Sequence, residues 1–179
     1  MYYIGQICGL IGAGITLIQP QLPKKTQMLI CTILVNGLNA LNFALIGQWG
    51  ASVFLCLVAV AQGCVALRHE IRKTTVSRME NRLFFLLYLG FGFLGMVTAP
   101  DFVWAIHLRN LLELLPIIGA LMLMLSVFAK TEQKTRFFLF LNGSAWLVYT
   151  AVVGATAFFT CVAAMVSALI AMVKYRKAK

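Results

Sequence analysis

Gln19-Pro20-Gln21-Leu22-Pro23-Lys24-Lys25 is the first interruption of a chain that otherwise runs apolar for long distances. Two prolines stop or kink a helix there, and two cations follow at once. Working outward from it, apolar stretches fall at about 2–19, 28–46, 51–67, 83–98, 102–129, 137–153 and 155–173. If each crosses a bilayer, successive connections alternate sides. Lys24 and Lys25 then share a side with Arg68, Arg72, Lys73, Arg78 and Arg82, with Lys130, Lys134 and Arg136, and with Lys174, Arg176, Lys177 and Lys179. Fourteen of the fifteen Lys and Arg residues fall on that side; the exception, Arg109, is inside the fifth stretch. Cytoplasmic connections retain Lys and Arg, so the pattern predicts seven spans with the N-terminus outside and the C-terminus cytoplasmic. Adding or dropping one span would scramble the partition, so the charges test the span count as well as the orientation.

A chain of 179 residues that is 61% hydrophobic and 11% charged is not an ordinary soluble domain. Seven helices of roughly 17–25 apolar residues nearly exhaust the length. The net charge of +10 would suggest nucleic acid in a soluble protein. Here it reads as topological anchors and contacts to anionic membrane lipids, with no nucleic-acid partner. Cys8, Cys31, Cys56, Cys64 and Cys161 all fall in apolar stretches without CxxC spacing, so they read as small buried apolar residues rather than disulfides or metal ligands. The first cation is Lys24, which makes the opening stretch a poor signal peptide and a good first span.

Span 1 carries Gly5, Gly9, Gly12 and Gly14, and the Gly5–Gly9 pair permits close helix approach. Gly47-Gln48-Trp49-Gly50 is a minimal turn, so spans 2 and 3 are antiparallel neighbours. Trp49 and Trp104 map to the outer boundary, where an indole is at home. Ser77-Arg78-Met79-Glu80 reads as a capping box opening span 4, and Asp101 as an N-cap for span 5. A shift of 106 residues lays Lys24–Arg68 on Lys130–Lys174 and Asn36-Gly37 on Asn142-Gly143. Each half then holds three helices, and an odd linker makes the halves parallel. The expected fold is all-α: seven transmembrane helices in a 3+1+3 arrangement of two parallel three-helix bundles. The first bundle is 1–68, the cytoplasmic connection with linker helix is 69–101, and the second bundle with its basic tail is 102–179.

This 3+1+3 plan, with Pro20-Gln21 closing span 1, resembles the PQ-loop and SWEET (MtN3-like) superfamily of small membrane transporters. Glu113-Leu114-Leu115-Pro116-Ile117-Ile118-Gly119 is similar to a signature of the YgjV family of bacterial inner-membrane proteins, as is a tryptophan in the sixth span, here Trp146. The resemblance covers nearly the whole chain. It implies a multi-pass protein of the bacterial inner membrane, and transport as the broad class. Trp146 and Tyr149 resemble the aromatic pair of SWEET transporters, whereas the first half has Ala40 and Phe43 there, and spans 3 and 7 contain no asparagine.

Polar residues within spans tend to face the bundle interior. Asn36, Asn39 and Asn42 drift over about a third of the helix circumference and form one stripe. With Asn142 opposite, and with Gln62, Trp146 and Tyr149, they are candidates for a substrate path. Gln6 invites the same question. Their structural reading is interhelical hydrogen bonding worth roughly 0.6–2 kcal/mol each. Span 5 holds the ionisable residues at membrane depth. Arg109 can snorkel to the outer interface, His107 is nearer that surface, and Glu113 lies one turn deeper on the face of Arg109. The three are candidates for an outer gate or ion coupling, or for an ion pair that fixes helix rotation. Pro20, Pro116 and Gly119 are candidate hinges, or static bends that make room for neighbours.

An enzyme is not expected. Asp101, His107 and Ser52 share the outer third, but no nucleophile elbow surrounds Ser52. Two distant histidines and unclustered carboxylates offer no metal site, and no phosphate-cradling motif calls for a nucleotide cofactor. The function expected is passive or ion-coupled movement of a small polar solute, the alternative a non-transporting receptor or scaffold subunit. A homo-oligomer is compatible with either.

Overall fold

The computed structural model describes residues 2–45, 51–97, 108–153 and 157–175; of residues 51–52, 108–113, 150, 152–153, 157–160 and 163 it describes the backbone alone. Among these residues the chain forms seven α-helices: α1 (Tyr2–Ile18), α2 (Lys25–Leu45), α3 (Ala51–Arg72), α4 (Arg78–Val97), α5 (Leu108–Phe128), α6 (Glu132–Val153) and α7 (Ala157–Lys174). A helix satisfies its own backbone, which an apolar environment demands. Among the described residues four stretches are long and apolar enough to cross a membrane: Tyr2–Gln21, Lys25–Leu45, Val53–Arg72 and Arg78–Val97. Leu114–Phe128 in α5 and Ala164–Lys174 in α7 are shorter apolar helices. At their charged ends α2, α3, α4 and α6 run past the apolar stretches read from the sequence, because a helix continues into water as readily as it stops at lipid.

Local signals place the helix ends. After α1, Gln19–Gln21 tightens into a 3-10 turn with Pro20 in its first positions. Leu22, which precedes Pro23, is extended at φ −70° and ψ 136°. The capping box at α4 forms as expected: the Glu80 N–H donates to Ser77 Oγ at 3.1 Å and the Ser77 N–H donates to Glu80 Oε2 at 2.7 Å. At the end of α3, Lys73 sits at φ 52° while the Thr74 N–H reaches His69 O and the Lys73 N–H reaches Glu70 O, a Schellman closure. Asp101 lies outside the described residues, as do Trp49 and Trp104.

Each helix packs on its sequence neighbour; α3 also meets α5 directly, and α7 returns to meet α1. The contacts therefore run α1–α2–α3–α5–α6–α7–α1, with α4 lying against α3 and α5. The main apolar core is Leu55, Val58 and Ala59 of α3, Phe84 and Tyr88 of α4, and Ala120 and Met124 of α5. Lys25 of α2 pairs with Glu70 of α3 at 3.5 Å, and His69 of α3 meets Glu80 of α4 at 3.0 Å. Together with the clasp described below, these contacts bring the helix ends that carry the described cations to one end of the molecule. Two cations are not free anchors: Lys25 is paired, and Arg136 is buried. Nor are all cysteines buried. Cys56 is, whereas Cys64 is exposed on the outward side of α3.

Glycines mark close helix approaches. A Cβ on Gly63 would lie 2.7 Å from Ile33, and one on Gly143 would lie 3.0 Å from Met165, so α3 meets α2, and α6 meets α7, at a glycine. Gly37, 106 residues before Gly143, would meet nothing within 4 Å, so the two crossings are not equally close there.

Gln62 is fully buried at the junction of α3, α4 and α5. Its Nε2 donates to Met124 O at 3.0 Å, and Tyr88 Oη donates to its Oε1 at 2.8 Å. Replacing Tyr88 by Phe strands a buried acceptor and should cost about 1–2 kcal/mol. The double variant Gln62→Leu with Tyr88→Phe leaves no stranded side chain, so it should be less destabilised than either single variant in equilibrium unfolding in detergent. A double variant that loses the sum of the two single effects contradicts this account.

Candidate functional site

At the basic end, the 3-10 turn after α1 is held by α6 and α7. Arg136, two per cent exposed, donates from Nε to Pro20 O at 3.0 Å and from Nη2 to Leu22 O at 2.9 Å. Its guanidinium lies 4.3 Å from the ring centroid of Tyr175, whose hydroxyl donates to Gln21 O at 2.9 Å. Gln21 Nε2 donates to Ser167 O at 2.7 Å, and Ser167 Oγ donates to Leu17 O at 2.6 Å. Kinking the helix at Pro20 frees carbonyls, and a planar fork of donors answers them. Burial pushes the Arg136 pKa down, and Tyr175 and Glu132 act against that shift. A guanidinium still stays charged, so the clasp carries a permanent cation. On the other side, buried Gln19 donates to Thr32 Oγ1 at 2.6 Å and to Met28 O at 3.1 Å, which makes the turn part of the first half.

Further along the helices, small residues of one face amides of the next. A Cβ on Gly9 would meet Asn42 Nδ2 at 2.7 Å, and one on Gly12 would meet Asn39 Oδ1 at 3.2 Å. In the second half, a Cβ on Gly119 would meet the Trp146 indole at 2.9 Å and Asn142 Oδ1 at 3.4 Å. Ile118, 106 residues on from Gly12, is exposed, so it is Gly119 and not the matching position that opens the α5–α6 crossing. Among the described residues two buried side-chain oxygens find no hydrogen-bond partner, Asn42 Oδ1 of α2 and Asn142 Oδ1 of α6.

The residues singled out from sequence separate into groups. Asn39 and Asn42 line the α1–α2 contact, while buried Asn36 donates back to Thr32 O of its own helix at 2.8 Å. Asn142 and Trp146 meet at Gly119, and Trp146 packs edge-on against Tyr149 with centroids 5.9 Å apart. Gln62 is held at the α3–α4–α5 junction, away from these. Gln6 is exposed. Pro116 is buried inside an unbroken α5. His107 lies outside the described residues, and so do the side chains of Arg109 and Glu113, whose backbones belong to α5. An open apolar groove lies along α7 at Leu169, Ile170, Val173 and Lys174, not at the meeting of the halves. Sequence reasoning missed Arg136, Gln21, Ser167 and Tyr175 as a cluster. Pro20 just before a basic pair was the signal, since a kink leaves carbonyls for a cation to meet.

Helices with apolar outward faces and cations gathered at one end define an integral multi-helix membrane protein. Over residues 3–179 the chain matches Imp-YgjV, a family of bacterial inner membrane proteins, and it belongs to that family. No curated protein and no solved structure matches it.

Gly119 has a packing reason to be glycine. Gly119→Ala should push Trp146 off its seat and lower stability by about 1–3 kcal/mol. In a Trp146→Ala background, where the clashing ring is absent, Gly119→Ala should cost much less. Thermal unfolding of the three variants checks this, and an unchanged midpoint for Gly119→Ala would sink it.

Proposed function

We propose that this chain is a carrier of a small polar solute, with seven spans in a 3+1+3 arrangement and α4 as the linker between two parallel bundles. Its termini lie N-outside and C-cytoplasmic, its plan is PQ-loop and SWEET-like, and its solute moves between the halves passively or with an ion. The observation that carries this reading is the buried amide oxygen in each half, Asn42 Oδ1 and Asn142 Oδ1, that no protein donor answers. Buried acceptors are seldom left unmet, and a donor-bearing solute would satisfy them. The sequential packing of α1, α2 and α3 and of α5, α6 and α7 supports the plan of two halves, and the Trp146–Tyr149 pair lies beside Asn142. One feature favours the scaffold reading: the α3–α4–α5 junction is dry and closed, with Gln62 and Tyr88 satisfied by each other and by Met124.

The test begins with thermal-shift screening of the purified protein against sugars, amino acids, nucleosides and organic acids, because a ligand of the native state raises the unfolding midpoint by mass action. Hits go into flux assays in liposomes. Asn142→Leu should abolish both the shift and the flux of a hit while the protein stays folded. Glu113→Gln separates coupling from anchoring, because the amide keeps the shape and cannot titrate. If Glu113 couples an ion, the variant should flatten the pH profile of flux. A folded variant with an unchanged profile removes Glu113 from the mechanism, and a screen in which no solute shifts or crosses favours the scaffold.

A further inference from the structure

We propose that the basic end of the α1–α7 contact is a gate, and that the α3–α5 contact is the fixed hinge about which it opens. The proposal rests on the carrier reading and adds to it which of the two contacts between the halves gives way.

Both contacts join one of α1–α3 to one of α5–α7, so they can be compared. They hold different chemistry. At the α3–α5 contact, Val127 is one per cent exposed and packs with Leu29 and Ala66, with Leu67, Leu123 and Phe128 around them. That contact is dry. It is braced by α4, through Phe84 and Tyr88, and pinned by the bond from Gln62 to Met124 O. At the α1–α7 contact the same end is polar. Ser167 donates to Leu17 O, Gln21 Nε2 to Ser167 O, Tyr175 Oη to Gln21 O, and Arg136 to Pro20 O and Leu22 O. Among the described residues no helix braces it as α4 braces the other.

Separating the two contacts has different consequences. Parting α3 from α5 would also strip α4, which packs on both, from one of them, and would lose the close packing that holds apolar helices together in lipid. Hydrogen bonds at the polar contact exchange for bonds to water, so each loses far less than its gross strength, the two from charged Arg136 losing most. These bonds all join the turn and the end of α1 to the second half, and Gln19 ties the turn to α2 of the first. Releasing them therefore parts the halves at this end and does not unravel α1. Arg136, among the cations of this end, is hydrated in the open form and fills its fork with main-chain carbonyls in the closed one.

Hydrogen exchange of the full chain in lipid nanodiscs, read by mass spectrometry, tests the assignment without a solute. In Arg136→Gln, segments 15–24 and 165–175 should exchange several-fold faster than in the unaltered protein, while segments 62–70 and 120–129 stay unchanged. Tyr175→Phe keeps the ring over the guanidinium and loses its bond to Gln21 O, so it should show the same pattern to a smaller degree. It also decides the matter should Arg136→Gln fail to fold. Exchange that rises equally at both contacts, first at 62–70 and 120–129, or nowhere overturns the proposal. A chain that opens as described and moves none of the solutes tested leaves the gate standing and overturns the carrier reading.

Discussion

Hydrocarbon offers no hydrogen bonds, and the structure follows from where this chain puts its polar atoms. Backbone groups go into helices. The buried side chains go to a few junctions: Gln62 with Tyr88 and Met124, the asparagines opposite glycines, and the Arg136 clasp on the turn at Pro20. Each junction lies where three helices meet or where two approach closely. The outward faces, such as Tyr3, Leu10, Leu86 and Val173, are left apolar and exposed. Lipid replaces water as their neighbour, so an exposed leucine there needs no explanation.

Glycine and asparagine work together in this scheme. Removing a side chain lets two helices approach until the amide of one touches the backbone of the other. Gly9 and Gly12 do this for Asn42 and Asn39, and Gly119 does it for Asn142 and Trp146. An amide held this way keeps whatever hydrogen-bonding capacity the two helices do not use. This is how Asn42 and Asn142 come to hold unanswered oxygens while Asn36, on the same stripe as Asn42, is satisfied by Thr32 of its own helix.

Much of the architecture was legible because it is written locally. The kink at Pro20-Gln21, the capping box at Ser77 and Glu80 and the run of helices need only neighbouring residues, and the structure forms them. The offset of 106 residues was visible in end cations and Asn-Gly pairs, but the close contacts do not copy it: Gly143 meets Met165, while Gly37 has nothing beside it. What sequence could not show is which helix covers which face. Arg136 looked like Lys134, one more cation at a helix start, yet it turns inward because the turn at Pro20 lies against it. Gly119 beside Pro116 suggested a hinge, and its neighbour across the interface turns out to be an indole that leaves no room for a methyl group. Gln62 suggested a path, and α4 closes over it.

α4 lies against α3 and α5 and not against α1 and α7, and that decides how each of these helix pairs is held. Beside α4 the chain has placed alanine, valine, leucine and phenylalanine, and one amide that is fully used. At the α1–α7 contact Gln21, Ser167 and Arg136 hold the helices through bonds that water can replace. An apolar side chain gains little by leaving lipid for a helix, so a dry seam is held by close fit, and a third helix packed across it supplies that fit. A seam without such a helix needs polar bonds instead, and it finds its acceptors in the carbonyls that the turn at Pro20 leaves free.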